Sequence, residues 1–449
     1  MSRQVRQSSS RGVRRSSASV TVKPESIDKI VEILEDIGRY PSPVRAVGSD
    51  SGSTRCAQTT GTLIDMTGMN RIIRLNEDTV TVGAGMQLRA LADRLAGQGL
   101  ELIGGYEYPE RTVGGLISSG SLSAGLPEDA SHLAASVTSM QVATPQGRKV
   151  VIDESMPEMK RLVLQGYGLF GIICTVTLKI RPIRPYAIRN REFGFEELMQ
   201  FIPDISGVKA GVKVFLLPFR DRAFVELRFA ETGDVTGAKL PWKIRDWACN
   251  KAMPDFVHSV GRFLSIHRLR DPLIDGFSET TQRLVNKRFS VVGSNAMEQT
   301  GQFRKVRQST SISHSCWLFP LDSFGDVIDM FRRFSIRYYR RENFRCDLPA
   351  IVYRLGHDDS ALLSPTGDQP MFALKLRSTN DDGWDHFLME FADRARRQGG
   401  TPLFNQTRGM EPQHGQQAYG KRLAKFRRLR RELDPRNRCL NQFFAEYIG

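Results

Sequence analysis

A run of small and hydroxylated residues, "GSDSGST" (Gly48–Thr54), sits between two strand-like pieces, "PVRAVG" and "GTLIDMT". Glycine reaches backbone torsions closed to other residues, and so bare a connection offers mainly its main-chain N–H groups. Successive unpaired amides form an anion-binding concavity, and the hydroxyls of Ser49, Ser51, Ser53 and Thr54 add donors. A second segment, "TVGGLISSGSLSAG" (Thr112–Gly125), repeats the chemistry with further glycines and five hydroxyls. A hydrogen bond to a charged group is worth ~1.5–3 kcal/mol, so several together would hold a diphosphate firmly. An ordinary Ser/Gly turn is the competing reading, and for either segment taken alone it is the better one.

The surrounding pieces read as alternating strands and helices. "SVTV" is a short strand, and "KPESIDKIVEILEDIGRY" a helix with Pro24 at its start and Ile27, Ile30, Val31, Leu34 and Ile37 at helical spacing. "RIIRL" and "TVTVGAG" are strands joined at "NED", "MQLRALADRLAGQGL" is an amphipathic helix, and "SVTSMQVATPQGRKVVI" is a hairpin turning at Pro145–Gly147. "GIICTVTLKI" (Gly171–Ile180) is a β-branched strand, and the prolines of "RPIRP" (Arg181–Pro185) mark a boundary. Beyond it, "VKVFLLPF", "RAFVELRFA", "SCWLFPL", "AIVYRLG" and "MFALKLRS" are strand-like, with helices in "FGDVIDMFRRFSIRYY" and "WDHFLMEFADRARRQGG". The chain ends in a helix, "YGKRLAKFRRLRREL", followed by "LNQFFAEYIG". The fold class is α+β, in units of 19–183 and 184–400 with a closing segment 401–449.

Composition narrows the function. Forty per cent apolar and 25% charged residues make an ordinary globular chain. No apolar run approaches the ~18 residues that cross a bilayer, and the start lacks the apolar core of a secretory signal. Six scattered cysteines without a CxxC fit reduced thiols in a cytoplasmic protein, and no metal site is expected. The net charge of +15 attracts anions: phosphorylated ligands, nucleic acid or an anionic membrane face. Residues 1–18 read as a disordered basic tail, with an organelle transit peptide as the alternative. Two further basic stretches, Arg332–Arg345 and Gly420–Arg438, read most simply as solvated helix faces. "GQQAYGKR" (Gly415–Arg422) lacks the Ser/Thr of a nucleotide-triphosphate loop, "GAGMQL" lacks the third glycine of a dinucleotide fingerprint, and "GHDDS" reads as polar loop.

Taken in order, "AVGSDSGSTRCAQTTGTLIDMTGMNRI", "TVTVGAG", "TVGGLISSGSLSAG", "SMQVATPQGR" and "GLFGIICTVTLKI" resemble the FAD-binding domain of the vanillyl-alcohol oxidase/para-cresol methylhydroxylase (PCMH-type) superfamily. "GGTPLF" with "AYGKRLAKFRRLRRELDPRNRCLNQFF" resembles the closing segment of its sugar-oxidising branch, which includes aldonolactone oxidases and decaprenylphosphoryl-ribose oxidase. The resemblance implies a two-part PCMH-type FAD-binding domain and an α+β substrate-binding cap domain with an antiparallel sheet. It implies that Arg45, Ala46, Val47, Gly48, Ser49, Asp50, Ser51, Gly52, Ser53 and Thr54 wrap the FAD pyrophosphate. Thr112, Val113, Gly114, Gly115, Ser118, Ser119 and Ser121 would line the diphosphate and flavin side, and Ile172 would give backbone contacts. Members with covalent flavin usually carry histidines where this chain has Ser51 and Leu122, and the nearest histidine is His132, so dissociable, non-covalent FAD is expected. The branch often has a lysine where this chain has Gln406.

The activity so implied is FAD-dependent oxidation of an alcohol or sugar-like CH–OH group, with hydride transfer to the flavin and one protein base for the hydroxyl proton. Candidates for that role are Tyr419, beside the returning helix and flanked by His414 and Lys421, and Lys375, which alternates onto one strand face with Arg377. Tyr353 and Arg354 are alternatives. The competing reading makes Tyr419 a core residue, His414 a loop residue and Lys375 and Arg377 solvated strand positions. Oxidative ring closure or amine oxidation on the same fold is the alternative activity, and a non-catalytic basic anion- or nucleic-acid-binding protein the second alternative. On the first reading the partners are a small-molecule substrate and dioxygen or another electron carrier, with no nucleic acid expected and peripheral contact with an anionic membrane open.

Overall fold

A computed structural model describes residues 17–104, 106–231, 239–288, 292–300, 312–379 and 382–449. The basic tail lies almost wholly outside the described residues.

Three sheets organise the chain. The first strands form a small parallel sheet with Thr62–Asp65 between Val20–Val22 and Val44–Val47. An antiparallel sheet follows in the order Ile72–Leu75, Thr79–Gly83, Ile172–Pro182, Val137–Ala143, Lys149–Ile152, and Leu100–Leu102 pairs with the far end of the long central strand. That strand runs through Pro182, so the ladder continues into the expected boundary and the chain leaves it at residues 183–185. The first helix starts at Ile27 rather than Pro24, because the Ser26 hydroxyl accepts from Lys29 N at 3.3 Å and caps it.

The third sheet is eight-stranded and antiparallel: Val292–Gly293, Tyr186–Phe193, Arg222–Ala230, Gly211–Leu217, Ala350–Leu355, Met371–Ser378, Ser313–Pro320, Thr401–Pro402. Its side chains alternate between faces, as the two-residue period requires. Val212, Val214, Val352, Phe372, Leu374 and Trp317 face the main core with Phe324, Phe331 and Phe387 of the covering helices. Phe215, Ile351, Tyr353, Ala373, Cys316 and Leu318 face the other way, against Leu122 and Ala124 of the second Ser/Gly segment. That second face holds the candidate site against the flavin-type domain.

The strand Tyr186–Phe193 and the helices Lys239–Trp247, Met253–Phe263 and His267–Arg288 complete this part of the chain, and of these helices it is His267–Arg288 that lacks a clear apolar period. In the longest of these, Pro272 interrupts the helix and Asp271, Ser278, Gln282 and Asn286 occupy the buried side, which erases the amphipathic signal. The C-terminal helix starts at Pro412, ahead of the expected Tyr419, and bends at Gly420, whose φ of 45° lies in the left-handed region. The "GQQAYGKR" stretch is therefore helix, not a phosphate loop.

Candidate functional site

The two Ser/Gly segments meet across one cleft of about 960 Å³, counting its share of open solvent. Arg45, Ala46, Val47, Gly48, Ser49, Asp50, Ser51, Gly52 and Thr54 line one wall, and Thr112, Gly114, Gly115, Ser118 and Ser119 the other, with Ile172 at the floor. The approach depends on missing side chains. A Cβ on Gly48 would stand 1.9 Å from Thr112 Oγ1, and one on Gly114 would stand 2.8 Å from Ala84 Cβ.

The Arg45 side chain does not point at a ligand. Its guanidinium donates to the carbonyls of Cys439 at 3.0 Å, Cys56 at 3.1 Å and Tyr167 at 2.6 Å, tying the first loop to the C-terminus. Four buried polar atoms on cleft residues, Arg45 Nε, Arg111 Nη2, Tyr167 Oη and Asn405 Oδ1, have no partner among the described residues. Buried polar groups are ordinarily paired. Glycines that let two backbones approach, hydroxyls along both walls and unspent polar atoms are the donors and acceptors that a dinucleotide-type group such as FAD requires, so the residues fit it.

Three expected cofactor contacts lie elsewhere. Ser53 donates to Gln406 O at 2.9 Å, binding the loop to the C-terminal segment. Val113 is fully buried in the core, because its position starts a short helix with that side turned inward. The Ser121 hydroxyl accepts from Leu133 N at 3.0 Å. Two of the three proposed catalytic residues also stand back from the cleft. Tyr419 is a core residue whose hydroxyl donates to Pro402 O at 2.7 Å and whose ring stacks on Phe404. His414 Nδ1 accepts from Glu411 N at 2.7 Å, a helix-capping contact, and its ring meets Trp317 edge-on. Gln406 donates to Gly120 O at 3.0 Å.

Lys375 is different. It is 1% exposed, and Arg377 is 5% exposed, so neither is a solvated strand position. Lys375 Nζ is paired with Glu107 Oε2 at 2.8 Å and also donates to the Tyr108 hydroxyl. Tyr353 donates its hydroxyl proton to Glu107 Oε1. The Tyr108 ring stacks against His314 at 5.7 Å, and the Arg111 guanidinium lies 4.7 Å from its centre. Arg111 Nε in turn donates to Ser51 Oγ at 2.9 Å. A continuous polar path thus joins the tip of the first loop to the cap sheet. Tyr108 holds φ at 56°, costly for a bulky residue; Arg111 N donates to its carbonyl at 2.9 Å and fixes the turn.

Charge in this cluster is mostly positive. Lys213 Nζ lies 5.4 Å from the Tyr353 ring centre, and Arg377 makes no ion pair with a described residue. Burial, together with Lys375, Arg111 and Arg377, drives His314 well below the usual imidazole range, so its ring is neutral at pH 7. His314 Nε2 is buried without a partner among the described residues.

Sequence reasoning missed Glu107, Tyr108, Arg111 and His314. A signal existed for the first three: "EYPER" packs charges and an aromatic directly ahead of the second glycine segment. Among the described residues no group of three or more His, Cys, Asp or Glu could hold a metal ion.

Residues 18–153 match the family profile described as an FAD binding domain, and residues 176–447 match that of D-arabinono-1,4-lactone oxidase. The second match covers well over half of the chain. The chain belongs to the D-arabinono-1,4-lactone oxidase family. Among its relatives, L-gulono-1,4-lactone dehydrogenase of Mycobacterium tuberculosis is 26% identical over 207 residues, 46% of this chain and 47% of that protein. L-gulonolactone oxidase of Bos taurus is 30% identical over 163 residues, 36% of this chain and 37% of that protein. The alignments thus span half or less of these curated relatives. The crystal structure of cholesterol oxidase from Brevibacterium sterolicum superposes with a TM-score of 0.75 at 15% identity, covering 96% of this chain and 94% of that one, which gives the same fold. The PCMH-type architecture and the sugar-oxidising branch that the motifs resemble are those of this family.

Proposed function

We propose that this chain is an FAD-dependent oxidoreductase that oxidises a CH–OH group of a sugar lactone. The observation that carries the proposal is the Ser51–Arg111–Tyr108–Lys375 path, which leads from the glycine-lined cleft to a buried polar cluster on the cap sheet. The backbone of Gly48–Thr54 and the Thr112–Gly115 turn would hold the diphosphate, and FAD so bound supplies the hydride acceptor.

The chain's own residues would do the rest. Lys375, anchored by Glu107 and Tyr108, has a remaining N–H to hold a lactone or hydroxyl oxygen. Glu107 is itself fixed by Tyr353, so the ammonium is pre-positioned. His314 is the proposed proton acceptor: its ring is neutral and its Nε2 is unspent. Arg377 and Lys213 suit a ligand rich in oxygen atoms. The packed interface of Leu122 with Phe215 and Ile351 would keep bulk water from this end of the site.

The test is anaerobic titration of the purified, FAD-loaded protein with aldonolactones, polyols and amines, following the flavin absorbance. Bleaching by aldonolactones supports the reading. A chain that takes up no FAD, or one whose flavin is bleached by amines alone, overturns it.

A further inference from the structure

Helices Met253–Phe263 and His267–Arg288 form a hairpin closed by the short link 264–266. At its tip, Phe263 is 81% exposed, Ile266 60%, Leu269 56% and Leu273 50%. Ile266, Leu269 and Leu273 follow the spacing of one helical face, and Phe263 closes the preceding helix three residues before Ile266, so all four exposed side chains cluster at or near the link. Large apolar residues exposed singly are normal, but a contiguous projecting group marks an interaction surface.

The charges around the tip are of one sign. Arg262 and Arg268 are exposed and make no ion pair with a described residue. The nearby acids are spent inward: Asp271 binds Tyr339 and Arg270, Asp275 binds Arg345, and Asp255 lies 3.4 Å from Lys251. The basic stretch Arg332–Arg345 packs alongside, with Asn343 Nδ2 2.7 Å from His267 Nε2; Arg340 is exposed there, and the neighbouring acid Glu342 is paired with Arg341 at 2.7 Å. A protein partner would be met by a flat patch with an apolar centre. A convex tip of aliphatic and aromatic side chains ringed by arginines instead suits a bilayer interface, where apolar groups enter the acyl boundary and guanidinium groups meet lipid phosphates.

We propose that the 263–273 tip docks the protein on an anionic lipid surface as a peripheral anchor. No helix among the described residues is long and apolar enough to cross a membrane, so the tip would insert shallowly rather than span.

The experiment is co-sedimentation of the full-length, FAD-loaded protein with vesicles of phosphatidylcholine alone and of phosphatidylcholine mixed with phosphatidylglycerol. Binding is expected to the mixed vesicles and to be weak on the neutral ones. Arg262→Gln and Arg268→Gln should each weaken it about fivefold, and the pair Phe263→Ser/Leu273→Ser should abolish it while flavin content stays unchanged. Phe263→Trp, a milder change, should gain indole emission that brominated acyl chains quench. No sedimentation with mixed vesicles overturns the proposal. So does binding that survives loss of Phe263 and Leu273 and follows charge alone, or added emission in Phe263→Trp that brominated lipid leaves unquenched. A dimer in sedimentation equilibrium that Phe263→Ser/Leu273→Ser dissociates would assign the tip to a second copy instead, and equally overturns it.

Discussion

Lys375 Nζ lies 2.8 Å from Glu107 Oε2, in an ion pair 1% and 17% exposed on its two sides. It joins a strand of the cap sheet to the loop ahead of the second glycine segment. Removing one partner of a buried pair strands the other charge. Lys375→Met should therefore lower stability by about 3 kcal/mol, and the double variant Lys375→Met/Glu107→Gln should recover most of that in urea unfolding. Substrate reduction of the flavin should remain about 100-fold slower in both, as expected when a positioning group is lost. Equal instability of the single and double variants would contradict the pairing.

His314 gives the pH dependence its sign. Its folded-state pKa is depressed by burial and by Lys375, Arg111 and Arg377. Below the ordinary imidazole value of about 6.5 the unfolded chain binds a proton that the folded chain refuses. The stability this group contributes is fully present above that value and falls as the pH drops toward the depressed folded value. Melting temperatures of wild type and His314→Asn should run parallel above pH of about 7 and converge or cross below about 6. If His314 is the proton acceptor, the acid limb of kcat/KM should also lie below about 6.5, and it should vanish in His314→Asn along with most activity.

Much of the flavin-type domain was legible because its information is local. Small residues between strands, a two-residue period and turn chemistry are all readable over a short window, and most residues read from Gly48–Thr54 and Thr112–Ser119 do line the cleft. The reactive end was not, since it is assembled from long separations: Glu107 meets Lys375 268 positions away, and Arg111 meets Ser51 60 positions away. Tyr419 and His414 misled for the opposite reason. Their neighbourhood in sequence, beside a returning helix, says nothing about whether a hydroxyl faces a cleft or a carbonyl such as that of Pro402. In the helix His267–Arg288 the buried side carries Asp271, Ser278, Gln282 and Asn286 while Leu269, Leu273 and Leu284 face outward, so no apolar stripe marks it in the sequence.

Covalent attachment of flavin needs a nucleophilic side chain beside the cleft. Ser51 is engaged by Arg111, and Leu122 is packed among Phe215 and Ile351. Cys56 lines the cleft, but burial pushes its thiol up and holds it in the weakly nucleophilic neutral form. His132 is fully buried, with Nδ1 against Ser121 O and Nε2 3.3 Å from Thr366 Oγ1. Acid precipitation of the loaded protein should therefore leave all yellow colour in the supernatant, and the denatured chain should have the mass of its sequence. Flavin retained on the pellet would refute non-covalent binding.

Gly48 and Gly52 provide a matched pair for testing the cleft. A Cβ on Gly48 would lie 1.9 Å from Thr112 Oγ1, 2.7 Å from its Cγ2 and 2.8 Å from its Cβ. Thr112 cannot simply swing away, because it is β-branched and its hydroxyl accepts from Gly115 N at 3.3 Å as a helix cap, a contact worth about 1 kcal/mol. The two walls would have to part. A Cβ on Gly52 meets nothing closer than Asn405 O at 3.5 Å, an ordinary contact. Gly48→Ala should thus lower the melting temperature by several degrees, about 2–4 °C for each kcal/mol, and yield a chain that loses FAD on desalting. Gly52→Ala should keep both its stability and its flavin-to-protein ratio. If both variants retain FAD equally, the close approach of the two glycine segments is not what shapes the cofactor site.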